Sequence, residues 1–167
     1  MKGISSLFSS IFSAKPKAAE SLKSPMRGKV ITQEHMQDQA LASLGTALAI
    51  IPDNGAVYSP VNGTVQAVFP TKHAIGLISE SGAEIIIHIG IDTVKLDGKY
   101  FTSHVKEKDV MKAGQLLLEF DIEAITNEGY ILESPIILTN SQDFENIDIT
   151  DKKHVNTDDN IMSVVVK

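Results

Sequence analysis

The sequence has 167 residues, of which 43% are hydrophobic, so it is long enough for one hydrophobic core and short for two full domains. It contains no cysteine, which excludes disulfides, thiolate metal ligands and thiol nucleophiles and fits a reducing compartment. The net charge of -6 argues against a nucleic-acid-binding protein, because phosphate backbones are bound by clustered Lys and Arg.

The N-terminal segment is predicted to be a basic tail with an amphipathic face. Its apolar residues follow helical spacing and would share one face: Ile4, Leu7, Phe8, Ile11 and Phe12. This face suits a peripheral contact of residues 4–12 with an anionic membrane surface, while the alternative is a Ser-rich tail without stable structure. Residues 1–23 are therefore predicted to be tail and linker, and residues 24–167 a globular domain.

The apolar runs are too short for a membrane-spanning helix, which needs ~20 residues, and the start lacks a signal-peptide cleavage site. We therefore expect a cytoplasmic protein, or one peripheral at the inner face of the membrane.

Short β-type runs separated by turn residues dominate the chain after residue 24. They are KVIT, ALAIIP, AVYSPV, TVQAVF, AIGLIS, EIIIHIGI, LLLEFDI and SPIILTN. Helices or turns are expected only in EHMQDQALASL and IEAITNEG. The pattern predicts an all-β class, an antiparallel sandwich or partly closed barrel.

An internal repeat supports this architecture. SPMRGKV at 24–30 and SPVNGTV at 59–65 share the pattern Ser-Pro-x-x-Gly-x-Val. Because proline suits a strand edge and glycine a turn, the repeat predicts two duplicated strand-turn-strand units.

Two of the five histidines are predicted to meet in a hairpin. His73 and His88 flank two strand-like runs around the turn sequence ESG, with Gly82 at a positive φ angle. A two-residue loop of Glu80 and Ser81 would place the two histidines directly opposite each other. A three-residue loop would shift the register by one and leave the rings as neighbours. The other three histidines lie in polar surroundings and are predicted to be solvated; they are His35, His104 and His154.

Imidazole can be a metal ligand, a general base or a nucleophile, and phosphorus is a suitable electrophile here. Gly90 permits close approach of backbone amides that would stabilise phosphoryl oxygens, and Thr71 supplies a hydroxyl. Asp92 would orient a neighbour or face a partner. The alternative is that both histidines are structural.

TKHAIGL at 71–77 and HIGIDTV at 88–94, with VMKAGQLLLEF and SPIILTN downstream, closely resemble the glucose-type enzyme IIA family of the bacterial sugar phosphotransferase system. The resemblance covers about residues 24–167. It implies a β-sandwich phosphotransferase component in which His88 accepts a phosphoryl group from the phosphocarrier protein HPr and passes it to a cysteine of a IIB domain. His73 would hydrogen-bond the phosphoryl group, Thr71 would orient His73, and no cofactor is required.

The resemblance also implies that zinc can bind between His73, His88 and a partner's carboxylate, and that some members regulate transporters and kinases. Phe69, Ile86 and Val94 are predicted to form an apolar rim that contacts partners, with acidic surroundings that attract a basic carrier. The sequence departs from the family at 35–50, where the usual aromatic residue is replaced near Gln39 and a glycine by Ala47. This departure concerns docking partners and regulation rather than phosphorylation chemistry.

Three alternative functions would use parts of the same sequence. A zinc peptidase would use His73 and His88 as ligands, but no third ligand at a suitable spacing completes the site. A biotinyl or lipoyl carrier is excluded because the modified lysine and its flanks are missing. A degenerate IIA that only binds partners stays open: the histidine pair argues against it, and the altered segment at 35–50 argues for it.

Overall fold

The computed structural model describes residues 18–167, and these form short strands with two short helices. The first seven strands are β1 (Ala19–Lys23), β2 (Gly28–Thr32), β3 (Thr46–Pro52), β4 (Ala56–Tyr58), β5 (Gly63–Val68), β6 (Ala74–Ser79) and β7 (Glu84–His88). The others are β8 (Phe101–Ser103), β9 (Val110–Met111), β10 (Leu116–Phe120), β11 (Ser134–Leu138), β12 (Phe144–Ile149), β13 (His154–Val155) and β14 (Asn160–Val166). The helices are α1 (Gln39–Ala42) and α2 (Ile122–Asn127), and 3-10 turns cover Gln33–His35, Thr93–Leu96 and Ser141–Asp143.

The strands form one large antiparallel sheet and two small ones. The large sheet has the order β13-β2-β3-β11-β7-β6-β5-β9, and the small sheets have the orders β1-β14-β12 and β4-β10-β8. The predicted all-β antiparallel sandwich is therefore confirmed, with sheets that do not close into a barrel.

The sequence repeat corresponds to a structural repeat. Tyr58 N–H donates to Pro25 O (2.8 Å), and Lys23 N–H donates to Pro60 O (3.0 Å), so each copy hydrogen-bonds the other at equivalent positions. Each serine also closes the same local turn, with the Ser24 hydroxyl donating to Met26 O and the Ser59 hydroxyl to Val61 O. Because β2 and β5 begin at the glycines of the two copies, the predicted duplication of strand-turn-strand units is confirmed.

Strand alternation separates two faces of the large sheet. In β7, Ile85 and Ile87 are buried in the main core, while Ile86 and His88 point to the other face and are partly exposed. On that outer face, the segment after β2 covers β3 and β11 with a small second apolar cluster: Met36, Ala42, Ala47, Ala49 and Ile137. His88 therefore lies on the outward face of a strand whose inward face is anchored in the core.

One predicted boundary differs from the structure. Residues 19–23, predicted to belong to the linker, form β1, which pairs with β14 and buries Leu22. Its charged and polar residues suggested a linker, but Ser21 and Lys23 occupy exposed positions of the strand. Glu20, on the face of Leu22, is half-buried and accepts from the Ser81 hydroxyl. The predicted amphipathic face at residues 4–12 lies outside the described residues. Within residues 18–167, no helix has the length and hydrophobicity to span a bilayer.

Candidate functional site

The hairpin of β6 and β7 brings the two histidines together, but through the three-residue loop. Ser79 N–H donates to Ala83 O (2.9 Å), and Gly82, at φ 93°, donates its N–H to Ser79 O (3.0 Å). The register pairs Ala74 with His88. The two-residue loop and the direct pairing of His73 with His88 are therefore wrong, and the alternative register is correct.

A second tight turn precedes His73, where Lys72 has a φ of 58° and donates its N–H to Phe69 O (2.7 Å). His73 O accepts from Ile89 N–H (2.7 Å), which extends the register of Ala74 and His88 by one residue, so His73 lies diagonally across from His88. The two imidazole rings have centroids 4.8 Å apart and planes at 83°. The predicted convergence of the rings is confirmed, although they are not paired in the ladder.

The tautomer of His88 follows from its hydrogen bond. His88 Nδ1 lies 2.9 Å from Gly90 O, and a carbonyl oxygen can only accept, so Nδ1 carries the proton. In the neutral ring, Nε2 then has a free lone pair. Nε2 is the nitrogen that can act as a nucleophile.

The amide of Gly90 itself has a hydrogen-bond partner within the protein. Its N–H donates to Ser134 Oγ (3.1 Å), so this amide is engaged within the protein rather than free for a phosphoryl oxygen. Glycine is required because φ is 75° and a Cβ would lie 2.7 Å from Thr93 Cγ2. Its carbonyl is the group that accepts from His88 Nδ1.

His73 is enclosed and held by Thr71. Its exposed fraction is 4%, its ring meets Phe69 edge-on at 5.7 Å, and Nδ1 lies 2.5 Å from Thr71 Oγ1. Burial, followed by the proximity of His88, lowers the pKa of His73 from 6.5 to about 4. The ring is therefore neutral at pH 7, with Nε2 as the nitrogen left for a ligand.

The protonation of His88 is set by opposing effects. Burial lowers its pKa, while the hydrogen bond to Gly90 and then the carboxylates of Asp38 and Asp92 act to raise it. Asp92 is exposed at a φ of 60°, just before the turn Thr93–Leu96. Asp38 caps α1, where its Oδ1 accepts from Leu41 N–H (3.0 Å). Asp38 was not predicted as a site residue, because fifty positions separate it from His88 and only tertiary packing brings it close.

Of the predicted apolar rim, Phe69 contacts the His73 ring and Ile86 shares the outer face of β7 with His88. Val94 is 50% exposed, Phe69 is also exposed, and Ile86 is partly buried on the outer face of β7. The structure adds Ile131, which is 49% exposed and whose carbonyl accepts from Ile91 N–H (2.9 Å) in the loop after His88. Sequence reasoning missed Ile131 because it lies in an irregular segment before β11.

The remaining histidines lie apart from this pair and have polar partners of their own. His35 bonds Thr32, His104 bonds Glu119 and His154 bonds Asp53. Among residues 18–167, no group of three or more His, Cys, Asp or Glu side chains is arranged to hold a metal ion.

Comparisons with known proteins agree with the geometry. Residues 20–144 match the family described as phosphoenolpyruvate-dependent sugar phosphotransferase system, EIIA 1. The chain is 51% identical over 131 residues to the PTS system beta-glucoside-specific EIIBCA component of Dickeya chrysanthemi, covering 77% of this chain and 21% of the relative. It is 44% identical over 147 residues to the protein of the same name from Halalkalibacterium halodurans, covering 87% and 23%.

The chain thus spans about a fifth of the length of the curated relatives it matches. Among solved structures it resembles glucose permease IIA from Mycoplasma capricolum, with a TM-score of 0.81 and 33% identity, covering 87% of this chain and 96% of that one.

Proposed function

The chain belongs to the EIIA 1 family of the phosphoenolpyruvate-dependent sugar phosphotransferase system, and from this membership we propose that it carries a phosphoryl group on His88. The donor is phosphorylated HPr, and the acceptor is a cysteine of a IIB unit of a sugar transporter. The proteins that this chain resembles are named for glucose and for beta-glucosides, so the acceptor belongs to a transporter of glucose or beta-glucosides.

The observation that carries this proposal is the hydrogen bond from His88 Nδ1 to Gly90 O. It leaves the Nε2 lone pair to attack phosphorus as the bond between phosphorus and the carrier's nitrogen breaks. In the next step the phosphorus–Nε2 bond breaks and a IIB thiolate takes the phosphoryl group. Such transfers depend mainly on positioning and charge stabilisation, which a pre-oriented ring on a core-anchored strand provides.

His73 supplies the charge stabilisation in this proposal. If the Thr71 hydroxyl donates to His73 Nδ1, the neutral ring carries its proton on Nε2 and can donate it to a phosphoryl oxygen on His88. The two ring planes are nearly perpendicular and their centroids are 4.8 Å apart, so a phosphoryl group on the His88 ring would lie beside the His73 ring. This arrangement supports the donor role of His73. Thr71 acts by fixing the tautomer of His73.

The partners dock on the apolar rim around the histidines. Phe69, Val94 and Ile131 supply exposed apolar surface, and the carboxylates of Asp38 and Asp92 favour a basic partner. A peripheral membrane contact through residues 4–12 would keep the protein near its transporter.

Zinc has no step in this reaction. His73 and His88 offer two imidazole nitrogens, whereas a tetrahedral site needs about four ligands, so a zinc ion would also need a partner's carboxylate and a further ligand. The same shortage argues against the zinc-peptidase alternative. Regulatory binding to transporters or kinases would use the apolar rim.

Incubation with enzyme I, HPr and phosphoenolpyruvate, followed by intact-mass measurement, tests the proposal. We expect one phosphoryl group that is lost in acid, as is typical of phosphohistidine. A protein that binds HPr but takes up no phosphoryl group would instead be the degenerate, binding-only relative.

A further inference from the structure

A buried carboxylate lies immediately before β11, and the reaction above does not use it. Glu133 is 4% exposed, and its Oε2 accepts from Gln37 N–H at 2.7 Å. Burying a carboxylate is unfavourable unless hydrogen bonds compensate for lost hydration. The bond to Gln37 is such compensation, and it joins positions 96 residues apart in sequence.

The segment that Glu133 holds leads directly to Asp38. Gln37 lies between the turn Gln33–His35 and α1, and Asp38 follows as the cap of that helix. Asp38 is thus fixed on one side by its bond from Leu41 N–H and on the other by the anchored amide of Gln37. Its carboxylate is one of the two that act on His88.

The neighbouring residue, Ser134, holds the other side of the site. Its hydroxyl accepts from Gly90 N–H (3.1 Å) and donates to Leu132 O (2.7 Å), while Gly90 O accepts from His88 Nδ1. Two consecutive side chains at the start of β11 therefore hold the two segments that flank His88. Ser134 acts on the loop after His88, and Glu133 acts on the segment that carries Asp38.

We propose that Glu133 is a positioning residue of the phosphoryl-transfer site, which holds Asp38 beside His88 by anchoring the backbone of Gln37. The expected kinetic effect rests on the proposed function, whereas the hydrogen bond between Gln37 N–H and Glu133 does not depend on phosphoryl transfer. Since Asp38 flanks the nucleophile where a basic donor docks, losing the anchor weakens capture of the donor more than the chemical step.

Two substitutions at Glu133 separate geometry from charge. Glu133→Ala removes the acceptor, whereas Glu133→Gln keeps an oxygen for Gln37 N–H and removes only the charge. Gln37→Pro removes the donor of the same hydrogen bond and replaces Glu133→Ala as the test if that variant fails to fold. A proline is compatible with the backbone here, because Met36, at φ -63° and ψ 137°, already has the extended conformation that precedes proline.

Asn140→Ala is the matched control. Asn140 is also a buried polar residue next to β11, but at its other end, and its Oδ1 accepts from Glu84 N–H (2.9 Å). Its amide group also donates to Gly82 O (2.8 Å) and to Asp143 Oδ2 (3.0 Å), so Asn140→Ala removes three hydrogen bonds without touching the segment of Asp38 and is the stricter test of a general loss of stability.

The measurements are hydrogen exchange at the Gln37–Leu41 amides and the steady-state kinetics of phosphorylation by phospho-HPr. With Glu133→Ala we expect exchange about tenfold faster and KM raised about threefold or more, with kcat less affected, as for a lost hydrogen bond to a charged acceptor. Gln37→Pro should raise KM likewise. Glu133→Gln should stay close to wild type, and Asn140→Ala should change neither the exchange of this segment nor KM.

The proposal is overturned if Glu133→Ala leaves both exchange and KM at wild-type values, or if Glu133→Gln is as impaired as Glu133→Ala. An increase in KM with Asn140→Ala of the same size would also overturn it, since a general loss of stability would then explain the effect. If the wild-type protein takes up no phosphoryl group, the proposed function fails, and the exchange comparison alone decides whether Glu133 anchors Asp38.

Discussion

His73 and His88 meet edge to face, with ring centroids 4.8 Å apart, although the residue opposite His88 in the ladder is Ala74. Two turns flank the contact. One joins β6 to β7, and the other, at Phe69–Lys72, follows β5 and leads into His73. Each ring is also held through its own Nδ1: His88 by Gly90 O, and His73 by Thr71 Oγ1. The two rings therefore have fixed and different orientations, which predicts different consequences when each is replaced.

Replacing the nucleophile should abolish phosphorylation. His88→Ala removes the only ring whose Nε2 must be unprotonated in the neutral form, so we expect no acid-labile phosphoryl group by intact-mass measurement after incubation with enzyme I, HPr and phosphoenolpyruvate. His104→Ala is the control, because His104 is exposed and paired with Glu119 away from the site. Labelling of His88→Ala to the wild-type level would place the phosphoryl group elsewhere.

Replacing the auxiliary ring should separate acceptance from donation. His73→Gln keeps the His88 nucleophile, so the variant should still be labelled by phospho-HPr. Transfer to a IIB unit should fall by about 100-fold, the usual cost of removing one donor to a developing charge. Rapid-quench measurement of both half-reactions checks this. Equal loss in the two half-reactions would contradict the separate roles of the rings.

The strands that carry the site could be predicted from sequence, because runs such as AIGLIS and EIIIHIGI are rich in residues that favour strands. The hairpin register could not, because ESG permits loops of two or three residues and a single-residue shift changes every pair. The rings meet in spite of this error, since a shift of one residue leaves His73 diagonally across from His88 rather than directly opposite.

Contacts between segments far apart in the chain could not be predicted from the sequence. Neither the approach of Asp38 to His88 nor the bond between Gln37 and Glu133 has a local signature, because both depend on how the segment after β2 packs over β11. β1 was missed because its residues are mainly polar, and β8 and β9 because they have only two or three residues. The alternation of polar and apolar residues over 146–149 is a signal that could have predicted most of β12, whose register shifts between Phe144 and Asn146.

Thr71 should affect the reaction only through His73. Thr71→Val removes the hydroxyl that fixes the tautomer while preserving shape, so transfer from phosphorylated protein to a IIB unit should slow by about tenfold, the effect of one hydrogen bond. Thr71→Ser, which retains the hydroxyl, should restore most of the rate. In the His73→Gln background, Thr71→Val should cost little more; an additive loss would mean that Thr71 acts independently.

The apolar rim should matter for docking rather than for chemistry. Ile131→Ser removes exposed apolar surface beside the loop after His88, so KM for phospho-HPr should rise about threefold to tenfold with kcat nearly unchanged. Val110→Ser is the matched control, because Val110 is 79% exposed but lies on β9 at the edge of the large sheet. Equal effects of the two substitutions would show that the rim around the histidines has no special role.

The lowered pKa of His73 should make stability depend on pH. The pKa falls from 6.5 to about 4 on folding, so between these values the unfolded chain binds the proton more tightly and unfolding takes it up. The free energy of unfolding should therefore be fully retained above pH 6.5 and decrease as the pH falls toward 4. At 1.36 kcal/mol per pKa unit, the contribution of His73 has an upper limit of about 3 to 4 kcal/mol.

Urea denaturation of wild type and His73→Gln at several values between pH 7.5 and pH 4 measures this contribution. Wild type should lose more stability on acidification than the variant, because the variant has no proton to take up at this position. Subtracting the two curves is necessary, since the ring of His88 and the carboxylates of Asp109 and Asp159 also have lowered pKa values and reduce the free energy of unfolding in acid in both proteins. Identical curves would mean that the ring of His73 titrates in the folded protein as it does in the unfolded chain, so that about a quarter of the rings would be protonated at pH 7 and burial would not be what keeps His73 neutral.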